Sequence, residues 1–349
     1  MKNITIIKLG AIGDVIQAAA AVNEYKRIHP DLKVDWVIGD SLISLLQGMK
    51  VADQIITIND QFIVSGTSIA KVSYLLKACY QIFHQIKSCD QLYIAHSNWQ
   101  YCVFGFPILL KNPGLIFGHI KRFFPALTRF RVGEYFHFLS QESITGHQGN
   151  EALLRVGKNV LGAGTGAKFI TGSSKKYVVL VPGGSKNGMR DDFLRRWPVE
   201  NYAQLANQLI AEDYEVVLVG GKGDLWTRSY FLELKVIDLI GQTSIIDVMD
   251  IMSRANIVIS HDTGPLHLAT MTATPLIAIF GPTPSSAVVS VERKFLVEFK
   301  ASADVLCAPC YDGIHYAPCQ NPICMQSTSV DMVFKKAKEL LSEDILGAQ

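Results

Sequence analysis

Two stretches of this chain open in the same way, and that repetition limits the folds available to it. Residues 4–9, Ile-Thr-Ile-Ile-Lys-Leu, form a β-rich run that passes through Gly10-Ala11-Ile12-Gly13-Asp14 into a helical pattern over residues 15–28. Pro30 ends that helix, and residues 34–38 read as the next strand. Residues 177–181, Tyr-Val-Val-Leu-Val, run into Pro182-Gly183-Gly184, and a helix is expected over residues 197–211 with Pro198 tolerated in its first turn. Residues 215–219 with Gly220-Gly221, then residues 257–260 and 275–280, extend the second series. Strands this apolar suit a parallel sheet covered on both faces. The expectation is α/β class, with two Rossmann-like domains facing each other across a cleft. The boundaries are 1–165 for the first domain, 175–327 for the second and 328–349 for a C-terminal packing helix. Between the domains, residues 157–176 are rich in Gly, Ser, Thr and Ala. Because Gly162-Ala163-Gly164-Thr165-Gly166 follows a helical segment rather than a strand, it reads as a linker instead of a phosphate loop.

Ligands of open α/β sheets bind outside the carboxyl ends of the strands, and two segments put suitable groups there. Ser260-His261-Asp262-Thr263-Gly264-Pro265-Leu266-His267 spans a strand end and a helix start. Thr263 and Gly264 offer backbone N–H groups, and the helix beginning near Pro265 turns its positive end toward a diphosphate. Asp262 can accept hydrogen bonds from sugar hydroxyls, and His267 can donate to phosphate or sugar. The bland readings are an N-cap at Asp262 or Thr263 and a buried imidazole at His267. Ser260, His261 and Asp262 cannot act as a hydrolase triad, since neighbours on a strand point to opposite faces. In the first half, Gly10 and Gly13 allow a tight turn, and Asp14 is either an N-cap or a carboxylate able to take a proton from a hydroxyl. A third segment, Arg190 to Pro198, sets Arg195 and Arg196 just ahead of a helix, where guanidinium can grip phosphate; the alternative is a solvated charged loop. Trp197 reads as a core anchor.

The balance of 33 basic against 31 acidic residues excludes a general nucleic-acid binder. No signal peptide is read at the N-terminus, where Lys8 cuts the apolar run, and Pro107, Lys111 and Pro113 interrupt the most apolar stretch, residues 101–117. The expected location is cytoplasmic, with seven cysteines as thiols or metal ligands. The sequence has no Asp-x-Asp pair, so a leaving diphosphate would be stabilised by helix N-termini and basic residues without a divalent metal.

Taken together, these segments resemble glycosyltransferase family 9, the bacterial heptosyltransferases. The likeness rests on residues 262–269, Asp-Thr-Gly-Pro-Leu-His-Leu-Ala, continuing through Thr274-Pro275 to Phe280-Gly281-Pro282-Thr283. Gly241-Gln242-Thr243-Ser244, Trp197-Pro198 and Gly13-Asp14 fall in the family's order, and the likeness is weakest over residues 40–146. The resemblance implies a GT-B architecture and metal-independent, inverting transfer of heptose from ADP-heptose to a lipopolysaccharide inner-core acceptor. In that picture Asp14 is the general base, with Gly13 in its turn. Asp262 holds the donor sugar, Thr263, Gly264 and His267 hold the diphosphate beside Pro265, and Arg195 or Arg196 contacts phosphate. The partners implied are a nucleotide-sugar donor and a glycolipid acceptor, with no catalytic cofactor. Other readings are a relative using another nucleotide sugar or another glycan or protein acceptor, a non-catalytic sugar-nucleotide binding protein, and an epimerase-like enzyme. Cys307, Cys310, Cys319 and Cys324 form a C-x2-C-x8-C-x4-C set that could hold a structural metal. His119 to Phe124, with Arg129 to Arg131 beyond, reads as either a patch for peripheral contact with the inner membrane or a solvated helix.

Overall fold

The computed structural model describes residues 2–59, 68–126, 129–162, 164–170, 175–184, 186–187, 190–313 and 315–342. Met1, Ala163 and residues 171–174 of the Gly-rich segment, and residues 343–349 of the expected C-terminal element, lie outside them. The chain divides into two compact units, Met1–Asn159 and Val160–Gln349.

In the first unit, β1 (Asn3–Ile7), β2 (Lys33–Gly39), β3 (Gln54–Ile58), β4 (Gln91–Ile94) and β5 (Ile120–Arg122) form one parallel sheet in the order β3-β2-β1-β4-β5. The crossovers carry α1 (Ile12–Ile28), α2 (Ile43–Met49), α3 (Ser68–Gln85) and α4 (Phe106–Lys111), with α5 (Arg131–Ser140) and α6 (Gly146–Val160) closing the unit. A poly-alanine stretch, Ala18 to Ala21, lets α1 lie close to its neighbours, chiefly α5. On the opposite face, Ala78 and Ile82 of α3 and Ile86 just beyond it pack with Phe104, Ile108 and Leu115 over Ile7, Val37, Ile56, Leu92 and Ile94 of the sheet. The strand order reverses direction between β1 and β4, which opens a crevice at their carboxyl ends.

The second unit repeats the plan. Its parallel sheet runs β10-β9-β6-β11-β12-β13, from Ile237–Asp238, Glu215–Leu218, Tyr177–Val181, Ile257–His261, Leu276–Ile279 and Leu296–Phe299. A small antiparallel pair, β7 (Lys186–Asn187) and β8 (Arg190–Asp191), follows β6. The helices are α7 (Val199–Ala211), α8 (Ile245–Arg254), α9 (Gly264–Thr270), α10 (Ser285–Val288), α11 (Ile323–Gln326) and α12 (Val330–Ser342). Every residue of β6 and β11 is buried, as the continuous apolar runs predict for strands covered on both faces. Trp197 is fully buried and its indole N–H donates to the Thr328 carbonyl at 2.9 Å, which ties α7 to the segment leading into α12. The switch in strand order lies here between β6 and β11.

The Gly-rich segment is bound more closely than a linker. Gly166 lies so near α8 that a Cβ there would meet the Asp247 carbonyl at 2.6 Å. The N–H groups of Thr165 and Ala167 donate to the Asp247 and Asp250 carboxylates at 2.8 and 3.1 Å. With those donors occupied by carboxylates, the segment is not a phosphate loop.

Candidate functional site

Each unit brings polar groups to the crevice at its own switch point. In the first, α1 begins at Ile12, so Asp14 stands inside the first turn and is not the N-cap. The turn before it is tight, but its positive φ falls on Ala11 (62°), not on Gly10 or Gly13; Gly13 is buried within the helix. Lys8, at the end of β1 and almost fully buried, directs its ammonium to Asp14 Oδ2 at 2.8 Å. Asp14 itself keeps 39% of its side chain open. Burial pushes its carboxyl up, but the Lys8 ammonium, the Arg131 guanidinium and the hydrogen bond from Lys8 outweigh that and hold it at about 2. His96, just beyond β4, accepts the Leu9 backbone N–H on Nε2 at 2.9 Å and stacks on Tyr101. Burial holds that imidazole neutral, its pKa well below the usual value. Tyr135 of α5 lies beside Asp14, and burial followed by that carboxylate pushes its phenol well up. The result is a carboxylate kept ionised at neutral pH and ringed by Lys8, Arg131, His96 and Tyr135.

In the second unit the segment after β11 carries the predicted cluster. Asp262 is buried, and its Oδ2 lies 3.3 Å from Arg195 Nη1. Arg195 Nη2 reaches Asp192 at 3.1 Å. Burial pushes the Asp262 carboxyl up, but Arg195, then His267 and a hydrogen bond from the Thr283 hydroxyl, bring it below its ordinary value. Tyr316 joins through Thr283, the two hydroxyls 3.3 Å apart, and burial raises its phenol far above the usual range. Thr263 precedes α9, Gly264 is that helix's first residue and Pro265 sits in its first turn, where a missing N–H costs nothing. α9 has only seven residues, so what it offers an anion is its first N–H groups more than a long helix dipole.

The two arginines separate. Arg195 faces Asp262, whereas Arg196 donates through Nε to the Gly184 carbonyl at 2.7 Å, pairs with Asp191 and lies over Trp226. Arg196 therefore braces the glycine turn after β6. That turn is crowded: Gly184 has φ +95°, and a Cβ on it would lie 2.1 Å from Thr263 Oγ1. Asp224 organises the same corner, accepting the Gly184 N–H at 2.7 Å and the Gly221 N–H at 2.8 Å. His261 points away from Asp262. The Tyr202 hydroxyl accepts its backbone N–H at 3.1 Å and lies 3.0 Å from its Nδ1, and burial, then Arg195, lowers the imidazole to about 3. No triad forms there.

Sequence reading missed Lys8, His96, Tyr135, Asp224, Thr283 and Tyr316. Lys8 offered a signal, a lone charge ending an apolar strand, and Thr283 closes the motif that begins at Asp262; the others come from distant parts of the chain and carried none. The basic and aromatic stretch after His119 is the edge strand β5, not a helix. Lys121 lies over Tyr93, and Arg122 lies over Phe124 while donating to the Ser97 carbonyl at 3.0 Å. Cys324 is buried under Gly281, and its thiol is raised first by burial and then by Cys310, Cys307 and Cys319 nearby. The four thus share a neighbourhood, but among the described residues no three His, Cys, Asp or Glu side chains form a metal-ligand set. No helix among the described residues is long and apolar enough to cross a membrane.

Comparison with known proteins bears on the second unit above all. Residues 146–300 match the model of "Glycosyltransferase family 9 (heptosyltransferase)". A lipooligosaccharide heptosyltransferase 2 of Haemophilus influenzae is 33% identical over 96 residues, 26% of this chain and 28% of that protein. A lipooligosaccharide heptosyltransferase 2 of Campylobacter jejuni is 27% identical over 206 residues, 56% of each chain. The chain thus aligns with between about a quarter and about half the length of these two relatives. Among solved structures, a family 9 glycosyl transferase from Veillonella parvula aligns with TM-score 0.73 at 18% identity, covering 98% of both chains. The E. coli ADP-heptose lps heptosyltransferase II aligns at 0.67 and 16% identity, again over 98% of both. These likenesses carry the fold, two parallel-sheet α/β units of the GT-B kind. The family's pattern from Asp262 to Thr283 lies inside the matched segment, so residues 146–300 are similar to glycosyltransferase family 9.

Proposed function

We propose that this chain is a metal-independent, inverting glycosyltransferase that moves heptose from ADP-heptose to a glycolipid acceptor of the lipopolysaccharide inner core. The observation that carries the reading is the Asp262–Arg195 pair at the carboxyl end of β11, set beside the crowded Gly184–Thr263 turn. It supplies, in one corner, a carboxylate for sugar hydroxyls, a guanidinium for phosphate and backbone N–H groups at Thr263 and Gly264. Relatives named heptosyltransferases support the sugar, and the missing Asp-x-Asp pair supports chemistry without a divalent ion.

In the reaction, an acceptor hydroxyl gives its proton to the Asp14 carboxylate as its oxygen bonds to the anomeric carbon. The bond from that carbon to the diphosphate oxygen breaks on the opposite face, and the diphosphate leaves with the electron pair. Arg195, His267 and the N–H groups of Thr263 and Gly264 take up the developing charge. A carboxyl held at about 2 is a weak base, so proton transfer belongs late in the step, when the attacking oxygen has become acidic. Asp262 orients the sugar, and Arg196 with Asp224 holds the turn that shapes the pocket. The cysteines have no part in the chemistry. The acceptor is a membrane lipid, so the working location is the cytoplasmic face of the inner membrane. A panel of nucleotide sugars, with the anomeric configuration of the product read by NMR, tests the proposal. Consumption of ADP-heptose with inversion is expected, and retention or a clear preference for another donor contradicts it.

A further inference from the structure

The outer side of the α3–α4 layer in the first unit combines two properties that surfaces seldom share. α3 is apolar on both faces. Ala78 and Ile82, with Ile86 just beyond the helix, bury against the sheet, while Val72, Leu76 and Tyr80 repeat every four residues on the opposite face, with Leu76 66% and Tyr80 67% exposed. α4 packs beside α3 and does the same: Ile108 is buried, and Phe106 and Leu110 face out. The turn Pro113–Ile116 continues the pattern, with Leu115 inside and Ile116 and Phe117 outside, Phe117 86% exposed. Exposed large apolar side chains gathered on one layer mark an interaction surface.

Charge sorts the candidate partners. From residue 68 to residue 117 the sequence has four lysines and one acid, Asp90, a net charge of +3 in a chain whose total is +2. The remainder of the chain is therefore net acidic. Asp90 is occupied by the Asn3 N–H at 2.7 Å. Lys77 and Lys87 stand exposed on or just beyond the outward side of α3, and Lys111 ends α4 with its ammonium over the Phe83 ring. Aliphatic and aromatic side chains between long cationic ones fit an anionic bilayer: the apolar groups enter the acyl boundary while the lysines reach the headgroups.

We propose that this face, centred on Leu76, Tyr80, Phe106, Leu110 and Phe117, docks the protein on an anionic lipid surface. The proposal deepens the glycolipid-acceptor reading by naming the surface that meets the membrane, and it moves that contact from the β5 stretch to the α3–α4 layer. The test is co-sedimentation of the full chain with vesicles of phosphatidylglycerol mixed with phosphatidylcholine, against phosphatidylcholine alone. The protein should pellet with the anionic vesicles and be released by salt. Leu76→Glu with Phe117→Glu should weaken binding at least about tenfold, and Lys77→Glu with Lys87→Glu should weaken it on anionic vesicles. Leu232→Glu, on an exposed site of the second unit, should change nothing. Circular dichroism checks that the variants fold, and turnover with a detergent-solubilised acceptor separates docking from transfer: it should be unchanged in the Leu76/Phe117 variant, and its absence in the wild type would count against transfer alone. Wild-type protein that stays in solution with anionic vesicles, or variants that bind as the wild type does, overturn the proposal. So does a wild-type dimer, seen by light scattering, that the Leu76/Phe117 pair dissociates while no vesicles are bound, since the face would then join two copies of this chain.

Discussion

Arg195 reaches Asp262, 67 positions further along the chain, to within 3.3 Å, and both side chains are largely shielded from water. Neither charge would be stable there alone, since an unpaired buried ion is strongly disfavoured. The pair is thus held in place by its own charges before any ligand arrives. Arg195→Ala should lower kcat/KM for the donor by about a hundredfold. Arg195→Lys should recover only part of that, because an ammonium cannot replace the two-pronged contact. Arg196→Ala should cost less in turnover and more in the thermal midpoint, since Arg196 braces Gly184. Equal losses for the two alanine variants would contradict this division.

The Lys8–Asp14 pair fixes an expected pH response. The carboxyl is depressed from its ordinary 3.8 to about 2 in the folded chain, so Asp14 should impose no acid limb on kcat/KM until pH falls toward that value. By the same linkage, the stability this group contributes is present above 3.8 and lost as pH falls through 3.8 toward 2. Lys8→Met removes the nearest cation while Arg131, His96 and Tyr135 remain around the carboxylate. The acid limb should then move up by about one to three units, as a pH–rate profile would show.

Among the described glycines, Gly184 is the least open to a side chain. Gly184→Ala would place a methyl 2.1 Å from Thr263 Oγ1 at a φ of +95°, a conformation costing an L-residue about 1–3 kcal/mol. Nucleotide affinity, measured by calorimetry, should fall at least about tenfold. Adding Thr263→Ala should restore only part of it, because the backbone strain stays. Full rescue would mean that the collision alone mattered.

Behind the motif, Arg293 is buried against carbonyls alone. Its Nη2 donates to Thr274 at 2.7 Å, with Ala269 and Thr270 close by at the end of α9, and burial lowers its pKa to about 10. A cation at a helix carboxyl end is favourably placed. Arg293→Met should cost about 2 kcal/mol in a denaturation experiment, with donor affinity falling as α9 loosens.

The fold was legible where strands are fully buried or end on glycine turns, as β6, β9 and β11 do. The Tyr177–Val181 strand is observed over the expected residues, and the segment after β11 stands where a strand-to-turn boundary put it. Local pattern failed where a group's role depends on distant chain. The positive φ settled on Ala11 although glycines stood on either side of it. Asp224 serves two glycine turns from different crossovers, and Tyr316 reaches Thr283 from an irregular stretch with no periodicity to read. Arg195 and Arg196 were equivalent in sequence, and only the 3-10 turn over Phe193–Arg195 sends them in different directions.

The most direct test of the central claim is acceptor-dependent release of ADP from ADP-heptose, measured for the wild type and for Asp14→Ala with EDTA present throughout. The wild type should turn over at full rate in EDTA, and the substitution should cut kcat by about 10²–10⁴-fold while leaving ADP binding intact. Wild-type turnover by Asp14→Ala, or failure of the wild type to consume ADP-heptose, would contradict it.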